Sequence, residues 1–107
     1  MSVTSITSKA QFDELVKSGK PVALQAHASW CGPCRVISPV FEDHAKTHAD
    51  KDMTFAKFDT DEVADLAQEL GVRSIPAFFF FRGGEKSDSL VGANPGALKT
   101  AVDKLAA

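Results

Sequence analysis

The chain is short of several things, and each shortage excludes something. It holds only two cysteines in 107 residues, too few for the several bridges that staple a small secreted scaffold. No stretch approaches the roughly 20 consecutive apolar residues that cross a bilayer as a helix, so no membrane association is expected. The opening "MSVTSITSKAQF" lacks an apolar segment of signal-peptide length, and a cytoplasmic location is expected. Positive charge is not in excess. Twelve lysines and arginines face 14 aspartates and glutamates, for a net charge of −2. Without a basic cluster, nucleic acid is not an expected partner. Internal repeats and long linkers are absent as well. What remains is ordinary globular material, 44% apolar and 24% charged, which argues for an ordered chain. Its length suits a single domain over residues 1–107 with one real core.

The two cysteines stand almost together, in "ASWCGPCR" over residues 28–35. A bridge from Cys31 to Cys34 would close a loop of four residues. Chain entropy then gives about 2 kcal/mol, the low end for a disulfide. That is a poor staple for a domain able to build its own core, so the pairing points to chemistry.

Strands and helices alternate along the chain. Ser8 and Gln11 form a capping box; Phe12, Leu15 and Val16 mark one helical face, and Gly19 stops the helix. "PVALQAHA", residues 21–28, reads as a largely buried strand. A long helix is expected from about Pro33 to His48, with Val36/Val40 and Ile37/Phe41 at four-residue spacing and an internal Pro39 that should kink it. "MTFAKFDT", residues 53–60, alternates as a strand does. Thr60 or a neighbouring aspartate should cap the next helix, whose apolar face is Val63, Leu66, Ala67 and Leu70 and whose stop is Gly71. Phe78, Phe79, Phe80 and Phe81 would point alternately to the two faces of a sheet covered on both sides. Gly83-Gly84 reads as a hairpin turn into a short strand near Ser87–Val91. Asn94 caps a last helix with Pro95 at its first position and Leu98, Ala101, Val102 and Leu105 inward. With a short first strand near Val3–Ile6, the order is β-α-β-α-β-α-β-β-α. An α/β fold follows, with a mixed sheet and helices on both faces.

Cys31 and Cys34 therefore fall where a buried strand ends and a helix begins. The unpaired N–H groups and the macrodipole there favour an anion, so the Cys31 thiol should ionise below the free value of about 8.5. Gly32 permits the tight turn, and Pro33 suits the first helical turn. The expected arrangement is an exposed, acidified Cys31 with a shielded Cys34 one turn deeper, a dithiol/disulfide couple.

"SWCGPC" resembles the active-site motif of the thioredoxin family. "AKFDTDE", "GVRSIPAFFFFRGGE" and "LVGANPGAL" stand at that family's spacing, so the likeness covers the whole chain. The resemblance implies a thioredoxin-like fold, a central mixed sheet of about five strands flanked by about four helices. It implies a protein-disulfide reductase, a thiol–disulfide oxidoreductase that binds no cofactor or metal. Electrons would come from NADPH through a thioredoxin reductase, and the partners would be that reductase and disulfide-containing target proteins. A monomer is expected. Cys31 would attack the target disulfide, and Cys34 would resolve the mixed disulfide. Trp30 would offer a flat docking surface, Pro76 would be the family's cis-proline, Ile75 would lend backbone hydrogen bonds to an extended target, and Gly92 and Ala93 would complete the surface.

Two positions depart from the family pattern. Where many thioredoxins bury an aspartate thought to help move the proton of the second cysteine, this chain has Gln25. An amide is no base near neutral pH. Lys57, which resembles the lysine near that carboxylate, then reads as a snorkelling surface residue. His27 either adds positive charge near the thiolate or fills space. His44 and His48 have metal-ligand spacing on one helix, but no acidic partner clearly faces them, so they read as a solvated flank. Two other functions stay open. One is a zinc or iron–sulfur site completed by a histidine. The other is a redox-weak binding module, which Gln25 keeps in play.

Overall fold

The computed structural model describes residues 2–107. Nine elements follow in the expected order: β1 (Val3–Ile6), α1 (Lys9–Lys17), β2 (Val22–His27), α2 (Gly32–Thr47), β3 (Thr54–Asp59), α3 (Ala64–Leu70), β4 (Ala77–Arg82), β5 (Glu85–Val91) and α4 (Pro95–Ala106). The strands form one sheet in the order β1-β3-β2-β4-β5. β3 runs parallel to both β1 and β2, as strands joined by helical crossovers must. β4 runs antiparallel to β2 and to β5. The hairpin between β4 and β5 turns on Gly83 and Gly84, both at positive φ (64° and 85°). Those values match the turn that follows the right-handed twist of the flanking strands.

β4 shows how the sequence divides the core. Phe78 and Phe80 face one side of the sheet with Ile37 and Phe41 of α2 and Leu98 and Val102 of α4. Phe79 and Phe81 face the other side with Phe12 of α1 and Leu66 of α3. All four rings are buried, as a central strand covered on both faces requires. Edge-to-face and tilted packing of Phe41 on Phe55 and Phe78 fills the first side, with ring centroids 5.5 Å apart in both pairs.

Caps explain most element boundaries. Ser8 Oγ accepts the Gln11 N–H at 3.1 Å. Gln11 Oε1 accepts the N–H of Thr7 at 2.9 Å, one residue earlier than the reciprocal capping-box bond. Asn94 Oδ1 accepts the Ala97 N–H at 3.0 Å, with Pro95 entering the first turn of α4. Gly71 ends α3 in the left-handed conformation. The start of α3 departs from expectation. Neither Thr60 nor an aspartate caps it; Val63 is the N-cap, without a side-chain bond. Asp59 instead accepts the N–H groups of Asp61 and Glu62 (2.8 and 3.2 Å). It caps a turn that carries the chain out of β3, and the helix starts later.

Candidate functional site

β2 delivers the motif to the end of the sheet, and α2 begins on it. Cys31 is the N-cap of α2, with extended backbone (φ −88°, ψ 107°), and Pro33 occupies the first turn. The Cys31 Sγ accepts the backbone N–H of Cys34 at 3.2 Å. A sulfur here does what a serine or aspartate oxygen does at other helix starts: it satisfies an orphan donor. The two cysteines are joined as a disulfide, with Cα atoms 5.3 Å apart.

Cys34 is 2% exposed, as its place in the first turn leads one to expect. Cys31 corrects the sequence reading: it is only 4% exposed. Its sulfur folds over the helix start toward Cys34 and packs with Ala28 and the half-buried Ile75. Trp30 carries the exposure instead, at 66%. Its indole Nε1–H donates to Asp61 Oδ2 at 2.8 Å, which fixes the ring beside the motif. No spacing rule links Trp30 to Asp61; the loop after β3 brings them together.

The other residues expected at this surface converge on it. The Ile75–Pro76 peptide is cis, and Pro76 is buried beneath the cysteine pair's neighbour Ile75. Gly92 N–H donates to the Pro76 carbonyl at 2.8 Å. That bond ties the exposed Ala93 loop to residues 75 and 76. Gly92 has φ 106°, a region that disfavours side chains. Ile75 precedes β4, and its backbone N–H and C=O have no backbone partner among the described residues. Gly32 lies in the motif turn with nothing within 4 Å of where a Cβ would stand.

Gln25 is 1% exposed, on the sheet face covered by α2. Its Nε2–H donates to Ser38 Oγ at 3.0 Å. Ser38 Oγ–H in turn donates to the Cys34 carbonyl at 2.7 Å. Gln25 thus reaches the cysteine backbone through one hydroxyl on the next turn of α2. Sequence reasoning missed Ser38, although its place four residues after Cys34 permits this back-bond. Lys57 pairs with Gln25 in the β2–β3 register and is half-buried. No carboxylate pairs with it among the described residues.

His27 stands opposite Asp59 in the same register. Burial lowers its basicity below the usual 6.5; Asp59 and Glu62 oppose that shift and Lys57 reinforces it. Burial thus favours the neutral ring, in line with the reading of His27 as a partly buried residue that fills space. His27, Cys34, Ser38 and Pro39 line an open groove of about 590 Å³ along α2. His44 and His48 have ring centroids 6.4 Å apart. His48 is buried rather than solvated, with Nδ1 2.8 Å from the His44 carbonyl and its ring against Phe55. Among the described residues no three His, Cys, Asp or Glu side chains are grouped to hold a metal.

Comparison with known proteins agrees with this geometry. The family model described as thioredoxin matches residues 3–104. The thioredoxin of Coprinus comatus is 42% identical over 95% of this chain and 96% of its own. The structure of Malassezia sympodialis thioredoxin superposes with a TM-score of 0.93 at 42% identity, covering 98% of this chain and 91% of that one. Oxidized mitochondrial thioredoxin 3 of Saccharomyces cerevisiae gives 0.89 at 31% identity, over 96% and 95% of the two chains. This chain presents a five-stranded mixed sheet, four helices and a paired Cys31–Cys34 after Trp30. With a family match over nearly its whole length and a disulfide at the active-site position, the chain belongs to the thioredoxin family and is a thiol–disulfide oxidoreductase.

Proposed function

We propose that this protein reduces disulfides of other proteins, with Cys31 as nucleophile and Cys34 as resolving thiol. The observation that carries the assignment is the Cys31 sulfur at the N-cap of α2, accepting the Cys34 N–H. In the reduced protein that donor and the helix dipole stabilise an anionic sulfur at Cys31. The Cys31 thiolate attacks one sulfur of the target disulfide, the target S–S bond breaks, and one target thiolate leaves. Cys34 then attacks Cys31, displaces the second target thiolate and closes the Cys31–Cys34 bond. Two protein thiols are oxidised as one target disulfide becomes two thiols. The short separation makes the second step intramolecular.

Trp30, Ile75, Pro76, Gly92 and Ala93 form the docking surface in this reading. The free backbone groups of Ile75 suit an extended target segment, paired as one strand pairs with another. Gly32 and Pro33 set the turn, and Gln25 and Lys57 support the pair from the sheet. The disulfide is returned to the dithiol by a thioredoxin reductase drawing on NADPH, and the protein works without a bound cofactor, as a monomer in the cytoplasm.

A coupled assay tests the reading. Protein, a thioredoxin reductase, NADPH and insulin are mixed, and NADPH oxidation and new insulin thiols are followed together. The expected result is catalytic turnover, two thiols per NADPH, lost with Cys31→Ser. No turnover with either the reductase or a chemical dithiol as electron source would overturn it.

A further inference from the structure

The resolving step has a proton to dispose of, and the neighbours of Cys34 limit where it can go. This inference rests on the assignment of Cys34 as resolving thiol. Gln25 cannot serve, because an amide has no basic lone pair near neutral pH. The Ser38 hydroxyl is committed as donor to the Cys34 carbonyl. Lys57 and Arg35 are cations without a free lone pair. Asp59 holds the turn after β3 through Oδ1 and does not line the groove that holds Cys34. Glu42 and Asp43 line the same groove as Cys34, but they lie more than two helical turns along α2, about 12 Å by the rise of 1.5 Å per residue. Among the other residues lining the groove with Cys34, one basic side chain with a free lone pair remains, His27.

We propose that His27 accepts the proton of the Cys34 thiol, relayed by water in the groove the two residues share, as Cys34 attacks the mixed disulfide. The Cys34 sulfur forms its bond to Cys31 while the Cys31–target bond breaks. The electron pair leaves on the target sulfur, and the proton passes through water to a ring nitrogen of His27. The imidazolium then returns it to solvent or to the departing thiolate. The groove is open and about 590 Å³ in volume, ample for such water. Burial lowers the basicity of the ring, which favours the neutral form that can accept a proton. The charged groups that face it are Lys57 and Asp59 from β3, Glu62 from the following turn, and Arg35, Glu42, Asp43 and Lys46 along α2. The neighbouring end of β4, at Ala77, is apolar. His27 thus takes over, from the flank of the helix, a task that Gln25 cannot perform from beneath it.

Stopped-flow reaction of the reduced protein with dithiobis(nitrobenzoate) separates the steps. The first coloured thiolate reports attack by Cys31, and the second reports resolution by Cys34. In the parent, the second rate should climb with pH through a titration below 6.5 and then flatten until the thiol itself ionises. In His27→Gln the ratio of second to first rate should fall about tenfold near pH 7, at or below the usual general-base contribution, and the low-pH inflection should vanish. Added imidazole should restore the rate in His27→Ala, since the groove is open. A parent-like ratio and profile in His27→Gln overturns the proposal. NMR titration of His27 in the parent gives a check without any variant: a ring titration that does not coincide with the kinetic inflection also overturns it. Absence of a second phase in the parent would instead refute the resolving role of Cys34 on which the proposal stands.

Discussion

Gln25 is fully enclosed and hydrogen-bonded to Ser38, so its replacement by aspartate is a sharp probe of the site. A carboxylate there would sit in low dielectric, and burial would raise its pKa. It would also lack the N–H that Ser38 now accepts. The penalty belongs to the ionised form. Stability is intact below the unfolded carboxyl pKa of about 3.9 and is lost as pH rises through the raised folded value. We expect Gln25→Asp to melt lower than the parent at pH 7, by about 1–3 kcal/mol, with the gap closing in acid. We also expect faster release from the mixed disulfide, because a base now lies under Cys34. Lys57, its register partner on β3, should matter more in that variant. Thermal melts and single-turnover release across pH 6–9 check both effects. Unchanged melting would contradict the burial of position 25.

Among the elements, β4 was the most legible in the sequence and the start of α3 the least. Four consecutive phenylalanines can be accommodated only by a strand covered on both faces, and period two sends them alternately into the two halves of the core. The start of α2 was legible to within a residue for a similarly local reason, a proline just past the end of a buried strand, although Cys31 as its cap was not. Caps inside the loop after β3 were not, because Asp59, Thr60 and Asp61 are all good candidates by residue type. Only the turn geometry assigns the first as acceptor and leaves the last free for Trp30. The burial of Cys31 involves Ile75, which packs against it from far away in sequence. The same segment carries a prediction. Pro76→Ala should disturb the fit of residues 75 and 92 against the cysteine pair, since it removes a buried ring from the segment to which Gly92 is bonded. Reduction of insulin should fall at least about tenfold, equivalent to about 1.4 kcal/mol of transition-state stabilisation. The melting temperature should drop by only a few degrees. Calorimetry beside the assay distinguishes this from a purely structural proline, for which activity would fall only as far as the folded fraction.

For the whole molecule, histidines rather than carboxylates give the clearest pH signature of folding. Burial lowers the basicity of both His27 and His44 below 6.5. The unfolded chain therefore binds more protons than the folded one between the lowered values and 6.5, and stability rises with pH across that window. Acidification from pH 7 should lower the melting temperature as pH passes below 6.5, and His27→Gln should remove part of that loss. A melting temperature that is flat between pH 7 and 5 would contradict it. Among the described residues the buried polar side chains are Gln25 and His48.

Disulfide exchange at this site turns on an unequal division of labour between two sulfurs three residues apart, and trapping measures it directly. Each single variant, Cys31→Ser and Cys34→Ser, is reduced, mixed with a disulfide-bonded protein such as oxidised insulin, and analysed by intact mass under non-reducing conditions. Cys34→Ser should accumulate a stable mixed disulfide through Cys31, and Cys31→Ser should accumulate little, because its remaining thiol lacks the N-cap position and the backbone donor that stabilise an anionic sulfur at Cys31. A mixed disulfide trapped by Cys31→Ser but not by Cys34→Ser would contradict the assignment of attacking and resolving roles.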